Sequence, residues 1–410
     1  MATIKPFKAI RPVNSSASRI AALPYDVYSV EEAREEIKRE NLSFLKVDLP
    51  LASLEENSQI NKKDINLKAL NNFKEMVNQG YFVKDKEDCF YLYRLESSDH
   101  SQTGLVCTTS VDEYLNDTIK KHEYTRSDKE EDRTDHIDKL DANTGLIFLT
   151  YRTKADIKNI IENVKKSDPY VDFISPDGVR HSLWLIKDKS TIEKLIEAFK
   201  KVENLYIADG HHRSASAVKV AQARRKEFPN YKGNEEFNYF MSILFDSDSV
   251  KIYDYNRVVK DLNNNSPKEL LKKLSRDFDI LKVNKAYKPQ SKGQFGMYLN
   301  GDWYKLTYRG EEIKDPIAKL DVSILQDKIL SPYLGIRDPR TDNRIDFIGG
   351  IRGMEELEKR VKSDMKLAFS LYPTSLEEVM GIADLSLVMP PKSTWFEPKP
   401  RSGLFIHELK

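Results

Sequence analysis

The stretch Tyr206-Ile-Ala-Asp-Gly-His-His-Arg-Ser214 gathers a carboxylate, two imidazoles, a guanidinium and a hydroxyl around one glycine. Glycine lets the backbone take positive φ and approach a ligand closely. A polar turn between an apolar run and an Ala-rich run predicts a strand that ends at the N-terminus of a helix, where N–H groups outside the helical ladder and the positive end of the dipole attract anions. Gly210, Arg213 and Ser214 are therefore candidate phosphate contacts, Arg213 because its planar fork matches two phosphate oxygens. Asp209 is a candidate magnesium ligand or an orienting partner for a histidine. His211 and His212 are candidate proton carriers near neutral pH. The competing explanation is a tight turn with Asp209 as helix cap, which leaves two histidines and an arginine at one turn without a purpose.

Two further groups stand out. His122-Glu-Tyr-Thr-Arg126 precedes a charged run that contains Glu130, Glu131, Asp132, Arg133 and His136. On a helix Asp132 and His136 share a face, as do Arg133 and Ile137, so the run offers a general base or a metal carboxylate; a solvated charged helix explains it equally. His122 and Glu123, beside a predicted turn, are the stronger catalytic candidates. The second group is Lys392-Ser-Thr-Trp-Phe-Glu-Pro-Lys399 with Arg401, held extended by Pro390, Pro391 and Pro398. Lys392, Ser393, Thr394, Lys399 and Arg401 are candidate phosphate contacts, and Trp395 or Phe396 a surface for base stacking; packing of the aromatics on the body accounts for the same residues. Asp26, in Pro24-Tyr-Asp26, reads as a helix cap or a catalytic carboxylate. Asp338, Arg340, Asp342, Arg344 and Asp346 before the Gly349-Gly350 pair read as a lid with a flexible glycine hinge or, more ordinarily, as a salt-bridged turn.

The elements that must position these residues follow from periodicity and caps. Ser29 and Glu32 form a capping-box pattern for a helix to Glu40. Phe44–Leu49 reads as a strand ended by Pro50, residues 51–66 as a surface loop, and Leu67–Asn78 as a helix stopped by Gly80. Cys89–Leu95 and Gly104–Val111 read as paired strands, and Gly145–Tyr151, His181–Ile186, Leu205–Ala208 and Tyr239–Phe245 as further strands. Helices are expected at Thr191–Val202, Ala215–Lys226 and Glu269–Phe278, with another ending near Leu330, and a strand at Trp303–Tyr308. Strands and helices interleave without internal repeats, which gives a mixed α/β class. The division expected is 1–150, 151–262 with the Asp209 loop, and 263–410 with the Pro-rich arm, the Asn263–Pro267 stretch marking the last boundary.

Composition sets limits. The 410 residues with 40% hydrophobic content can bury a large core. Cys89 and Cys107 are too few for a disulfide framework and lack metal-site spacing, which points to a reducing, cytoplasmic setting. The first residues carry no signal-peptide core, and no apolar run reaches the about 18 residues of a membrane span. A net charge of +1 argues against nucleic acid as the main partner. No P-loop or Rossmann glycine pattern is present.

Taken together, Pro24-Tyr-Asp-Val27, His122-Glu123 with Thr125, Asp209-Gly-His-His-Arg213, Asn256-Arg257 and Pro391–Lys399 resemble domain of unknown function 1015, over essentially the whole chain from Phe7 to Phe405. The strand with Ile-Arg-Pro12, the helix of Glu31–Ile37 and the Gly-His-His-Arg turn are also similar to the ParB/sulfiredoxin fold, here with a large insertion and a C-terminal α/β extension. That resemblance implies that Asp209, Gly210, His211, His212 and Arg213 handle a nucleotide phosphate. The Asp-Gly-His-[His/Thr]-Arg form is closest to the free-serine kinases, and the turn lacks the sulfiredoxin cysteine. The resemblance implies a small-molecule phosphotransferase or phosphohydrolase using ATP or ADP and Mg2+, with serine or phosphoserine as substrate. The alternative is a nucleotide-binding regulatory protein of the ParB type without turnover. Oligomeric state is left open.

Overall fold

The computed structural model describes residues 1–54 and 61–410, and within these the chain divides into two compact units. The first comprises Met1–Lys121, Thr125–Val250 and Pro398–Lys410; the second comprises His122–Tyr124 and Lys251–Glu397. Asn263–Pro267 lies inside the second unit, where Ser266 and Glu269 form the capping box of the helix Pro267–Leu274.

The first unit is built on a nine-stranded mixed sheet in the order Ile119–Lys120, Leu205–Asp209, Ile147–Tyr151, Tyr239–Asp246, Ser101–Ser110, Phe90–Glu96, Arg180–Ile186, Val171–Ile174, with Ile4–Lys5 paired to Ser101–Ser110. Leu205–Asp209 runs parallel to Ile119–Lys120, and Tyr239–Asp246 runs parallel to Ile147–Tyr151, whereas the remaining pairs are antiparallel. The central strands carry side chains buried on both faces, as Ile147–Tyr151 does at every position, which is why they read as unbroken apolar runs. Helices Ala155–Val164, Lys189–Phe199 and His211–Glu227 lay Ile157, Leu195, Phe199, Val218 and Ala221 onto the core that holds Leu149, Leu205 and Ile207. A smaller core unites Phe44, Phe73, Phe82 and Ile406.

The second unit is a fully antiparallel six-stranded sheet in the order Phe278–Val283, Asp302–Tyr308, Gln294–Leu299, Leu367–Leu371, Tyr255–Val259, Ile345–Gly349. The mixed α/β class is as the sequence implies.

Several local expectations change. Phe44–Leu49 is not a strand: Leu45–Asp48 is a single helical turn, and Phe44, Leu45 and Val47 are all fully buried. Short apolar runs do not reveal their period, and here the next residue, Pro50, opens a 3-10 turn. The loop expected over 51–66 falls partly on 55–60, outside the described residues; its end is already helical, because the helix runs Lys62–Asn78 behind an Asn61 cap. A helix at Asn14–Ile20 was not signalled by any cap, and its N-cap Val13 has no side-chain hydrogen bond. Phe278 begins a strand rather than ending a helix. The Gly349-Gly350 pair is no hinge: a Cβ at Gly349 would lie 2.7 Å from the Trp395 indole and one at Gly350 2.3 Å from the Asp254 carboxylate, so both glycines serve close packing. The charged loop before them is tied by Arg340 to Asp338 at 2.8 Å and by Arg344 to Asp342 at 2.7 Å.

Residues 398–410 are part of the first unit's core. Ser402 bridges to Ala22 and Ile406 to Ile10, His407–Glu408 pairs with Ala142–Asn143, and Leu404, Phe405 and Ile406 are fully buried. Gly403 has φ +82°, and a Cβ there would sit 2.6 Å from the Phe44 ring; Gly178 has the same φ but nothing within 4 Å. Gly178→Ala is thus expected to cost about 1 kcal/mol through backbone strain alone. Gly403→Ala adds overpacking, for a further 1–3 kcal/mol or so. Denaturant melts of both variants check this; equal losses would show that Phe44 yields without cost.

Candidate functional site

Strand Leu205–Asp209 ends in a β-bulge. Ile207 faces Leu149 and Asp209 faces Phe148, so Ala208 is the extra residue, and the bulge re-aims Asp209 as the chain leaves the sheet. Gly210 then takes φ +96° as N-cap of the helix His211–Glu227. The helix starts four residues earlier than the expected Ala215, so His211, His212 and Arg213 form its first turn instead of a preceding loop. The first ladder bond within it runs from the Ser214 N–H to the Gly210 carbonyl at 2.9 Å, which leaves the three amides before it outside the helix's own ladder. No acidic residue occupies the first turn and no side chain caps it. A helix start furnished with two histidines and an arginine runs against the dipole preference unless negative charge is brought to it.

Part of that charge is Asp209. Its Oδ2 accepts a hydrogen bond from Lys399 Nζ at 3.1 Å, and Arg213 Nη2 lies 3.6 Å from the same oxygen. Burial pushes the Asp209 carboxyl up, but the charges of Lys399 and Arg213, the Lys399 hydrogen bond and His211 outweigh it and hold it well below the ordinary carboxylate range. Arg213 donates from Nη1 to the Leu146 carbonyl at 2.6 Å. Burial lowers its affinity for the proton, while Asp209, Asp26, Tyr25 and Asp48 more than restore it, so the guanidinium stays charged. Gly145 makes room for it, since a Cβ there would lie 3.3 Å from Nη1.

The structure places the other candidates unevenly. Ser214 is fully buried and donates its hydroxyl to the His211 carbonyl at 2.9 Å. His211 is buried, and His212 Nε2 accepts from the Arg126 N–H at 3.1 Å, which fixes the neutral tautomer carrying its proton on Nδ1. Arg401 is buried in a closed network, donating to Asp177 and to Ser175 Oγ at 3.2 Å, beside a His181 whose Nδ1 meets Tyr93 Oη at 2.7 Å. Burial and the Arg401 charge push His181 down to about 3, so it is a neutral core histidine. His122, Glu123, Lys392, Ser393 and Thr394 belong to the second unit, where the Met389 N–H donates to the His122 carbonyl at 2.9 Å and Ser393 Oγ to the Pro390 carbonyl at 2.5 Å. Trp395 packs edge-on against Tyr255 at 5.0 Å and Phe396 is buried, so Phe396 offers no stacking face. Asp26 is exposed in a 3-10 turn, and Ser29 performs the capping.

Asp132 pairs with its neighbour Arg133 at 2.8 Å rather than with His136. His136 instead faces Asp48, 3.8 Å away, in a chamber of about 20 Å3 lined also by Tyr25, Thr144, Gly145 and Arg213. Thr144 donates to Asp48 at 2.7 Å, Arg133 to the Asp48 carbonyl at 2.9 Å, and the Arg133 guanidinium stacks over Tyr25 at 4.1 Å. Both His136 ring nitrogens and Arg213 Nε are buried without a hydrogen-bond partner. Asp48, His136 and Tyr25 thus back the loop, and nothing in their sequence spacing shows it, because the three lie on separate elements. A cavity of about 830 Å3 around Phe228, Tyr231 and Phe237 lies at the far end of the same helix, some 25 Å from the loop by helical rise.

Asp209 Oδ2 faces two cations, Lys399 and Arg213. No helix among the described residues is long and apolar enough to cross a membrane.

The profile of the family described as "Protein of unknown function (DUF1015)" matches residues 4–323. The chain belongs to the DUF1015 family. Its sequence matches no curated protein. Among solved structures, this DUF1015 protein is similar to a free serine kinase in complex with AMP, at 15% identity and TM-score 0.37, covering 75% of this chain and 91% of that one. It is also similar to a conserved hypothetical protein from Pyrococcus furiosus, at 14% identity and TM-score 0.34, covering 75% and 96%. A third is SbnI with a C-terminal truncation from Staphylococcus aureus, at 12% identity and TM-score 0.37, covering 74% and 87%.

Because Asp209 is held ionised, its contribution to stability is full above its unfolded pKa of about 3.9 and is lost as pH falls from there toward the depressed folded value. The stability gap between wild type and Asp209→Asn should be constant from neutral pH to about pH 5 and close below about pH 4. Urea midpoints measured across that range check this; a gap that widens in acid would contradict the ion cluster.

Proposed function

We propose that the loop Asp209–Ser214 receives a phosphoryl group and that the protein is a small-molecule phosphotransferase or phosphohydrolase. One observation carries this: a 17-residue helix begins without an acidic residue or a side-chain cap, yet with Arg213 in its first turn and Lys399 beside Asp209 at its mouth. Such an end is unfavourable for its own helix and suited to an incoming anion. Asp209 keeps both cations ionised and aimed until a phosphate replaces part of their field. Lys399, with its ammonium on a flexible stem, is the group that can follow charge as it develops on a transferring phosphate, and Arg213 supplies a fixed point. His211 or His212 would move the proton of the accepting or leaving oxygen; His212 would do so through Nδ1, since Nε2 is engaged.

The ParB/sulfiredoxin-like form of the loop makes ATP or ADP the phosphate carrier to try first, and its Asp-Gly-His-His-Arg sequence makes free serine the acceptor. Magnesium would arrive on the nucleotide phosphates, not on Asp209. In the experiment, the full chain is incubated with magnesium, serine and either ATP or ADP, and phosphoserine is followed in both directions. Arg213→Ala and Lys399→Met should each lower turnover by at least about a hundredfold, the scale on which single groups stabilising a transferring charge act. Absence of phosphate transfer from either nucleotide, together with unaltered nucleotide affinity in Arg213→Ala, would refute the reading. Nucleotide affinity that is lost in Arg213→Ala without any turnover in wild type would favour a nucleotide-binding regulatory protein.

A further inference from the structure

The second unit contains a buried positive charge that the fold does not neutralise. Arg257 lies in the middle of the strand Tyr255–Val259 and is 4% exposed. Two other arginines are as deeply buried among the described residues, Arg133 and Arg401, and each meets a carboxylate, Asp132 and Asp177 respectively. Arg257 meets none. Its protein hydrogen bonds run to two backbone oxygens, the Tyr255 carbonyl and the Lys392 carbonyl, the latter at 3.0 Å. Those account for a minority of the guanidinium's donors. The nearest acid in sequence, Asp254, cannot help, because side chains alternate along a strand: Asp254 and Asn256 share the opposite face, where Asn256 Nδ2 donates to Asp254 at 2.6 Å and Lys288 lies 3.1 Å from it.

The surroundings of Arg257 are aromatic. Its guanidinium lies 5.2 Å from the centre of the Phe347 ring, the residue directly across the ladder, and 6.0 Å from Tyr255. The Lys392 ammonium lies 5.7 Å from the same Tyr255 ring, so two cations share one aromatic side chain. Lys392 also has φ +57°, a conformation a lysine adopts at a cost, and this turns its carbonyl toward Arg257. Burial pushes the Arg257 guanidinium down to about 10, which still leaves it charged at neutral pH. A charge buried without a counter-charge destabilises the fold that contains it, and an arginine cannot escape by losing its proton.

We propose that Arg257 is the anchor of an oxyanion-binding site in the second unit, where a phosphoryl or carboxylate group of a ligand supplies the counter-charge that the protein withholds. The Lys392 carbonyl holds the place of one ligand oxygen, and the strained Lys392 peptide can release it when a better acceptor arrives. The site draws on residues of the second unit alone, Arg257, Tyr255, Phe347 and Lys392.

Calorimetric titration of the full chain with inorganic pyrophosphate, and in a separate arm with succinate, tests it. Arg213→Ala should retain binding of at least one of the two anions, and Arg213→Ala/Arg257→Met should lose it by about tenfold or more, the scale of a lost charge-assisted hydrogen bond. Ligand-free Arg257→Met should melt no lower than wild type, because an apolar chain of similar length removes a buried unpaired charge; Arg257→Gln serves if the Met variant does not fold. A response to pyrophosphate alone assigns a phosphoryl ligand, and a response to succinate alone assigns a carboxylate. The proposal is overturned if Arg213→Ala binds neither anion, if the double variant binds as well as Arg213→Ala, or if both Arg257 variants unfold while the anions never raise the wild-type melting temperature. Undiminished binding in Arg213→Ala would count against the Asp209 loop only.

Discussion

The Asp209 carboxylate, shared between Lys399 and Arg213, is the interaction on which the arrangement of the Asp209 loop depends. It joins three parts of the chain that are remote in sequence: the bulged end of a strand, the first turn of the following helix, and a segment almost two hundred residues later. The ion cluster is half-sheltered, so its Coulomb attraction is stronger than that of a surface pair, yet Asp209 keeps a quarter of its side chain open. That balance suits a site which must hold cations ready without sealing them. A fully buried triad would trap them, and a fully exposed one would let solvent and salt screen them.

Lys399 can reach Asp209 only because residues 398–410 are threaded into the core. Gln102 Nε2 donates to the Pro398 carbonyl at 2.9 Å just before Lys399, and Arg401 is locked on Asp177 and Ser175 just after it. The lysine is thus held from both sides, and Arg401, which looks in sequence like a second phosphate contact, is the rivet that keeps Lys399 beside Asp209. Lys399 and Arg401 are two residues apart and would share a side of an extended segment, so sequence alone could not tell which of them is anchored and which faces the loop.

The same limit explains what was legible elsewhere. The Asp209–Arg213 motif, the Ser29–Glu32 capping box and the long apolar strands carry their physics locally, in spacing and residue type, and the fold class follows from them. The helical turn Leu45–Asp48 and the chamber behind Arg213 do not. Asp48 looks like one acid in an apolar run; its meaning lies in Thr144 and His136, which come about a hundred residues later. His136 and Asp132 do share a helix face, but Arg133 and Asp48 compete for them and win, because an adjacent guanidinium and a buried carboxylate offer stronger partners than a helical neighbour four residues on. His181, which any titration argument from sequence would count as a proton carrier, is a hydrogen-bonded core side chain kept neutral by burial.

What distinguishes a structural cation from one reserved for a ligand is the balance of its charge and donors, not its burial. Arg133 and Arg401 each meet a carboxylate and an additional oxygen, so removing any ligand changes nothing for them. Arg213 is intermediate: Nη1 is satisfied by Leu146, Nη2 is only loosely held by Asp209, and Nε has no partner. Arg257 has carbonyls but no acid. Since a folded chain is stable by only a few kcal/mol in total, an arginine left uncompensated in this way persists when something outside the chain completes it. By that criterion Arg213 and Arg257 are the guanidiniums whose charge and donors their contacts balance least, and the second could be found only once strand alternation had put Asp254 on the wrong face to neutralise it.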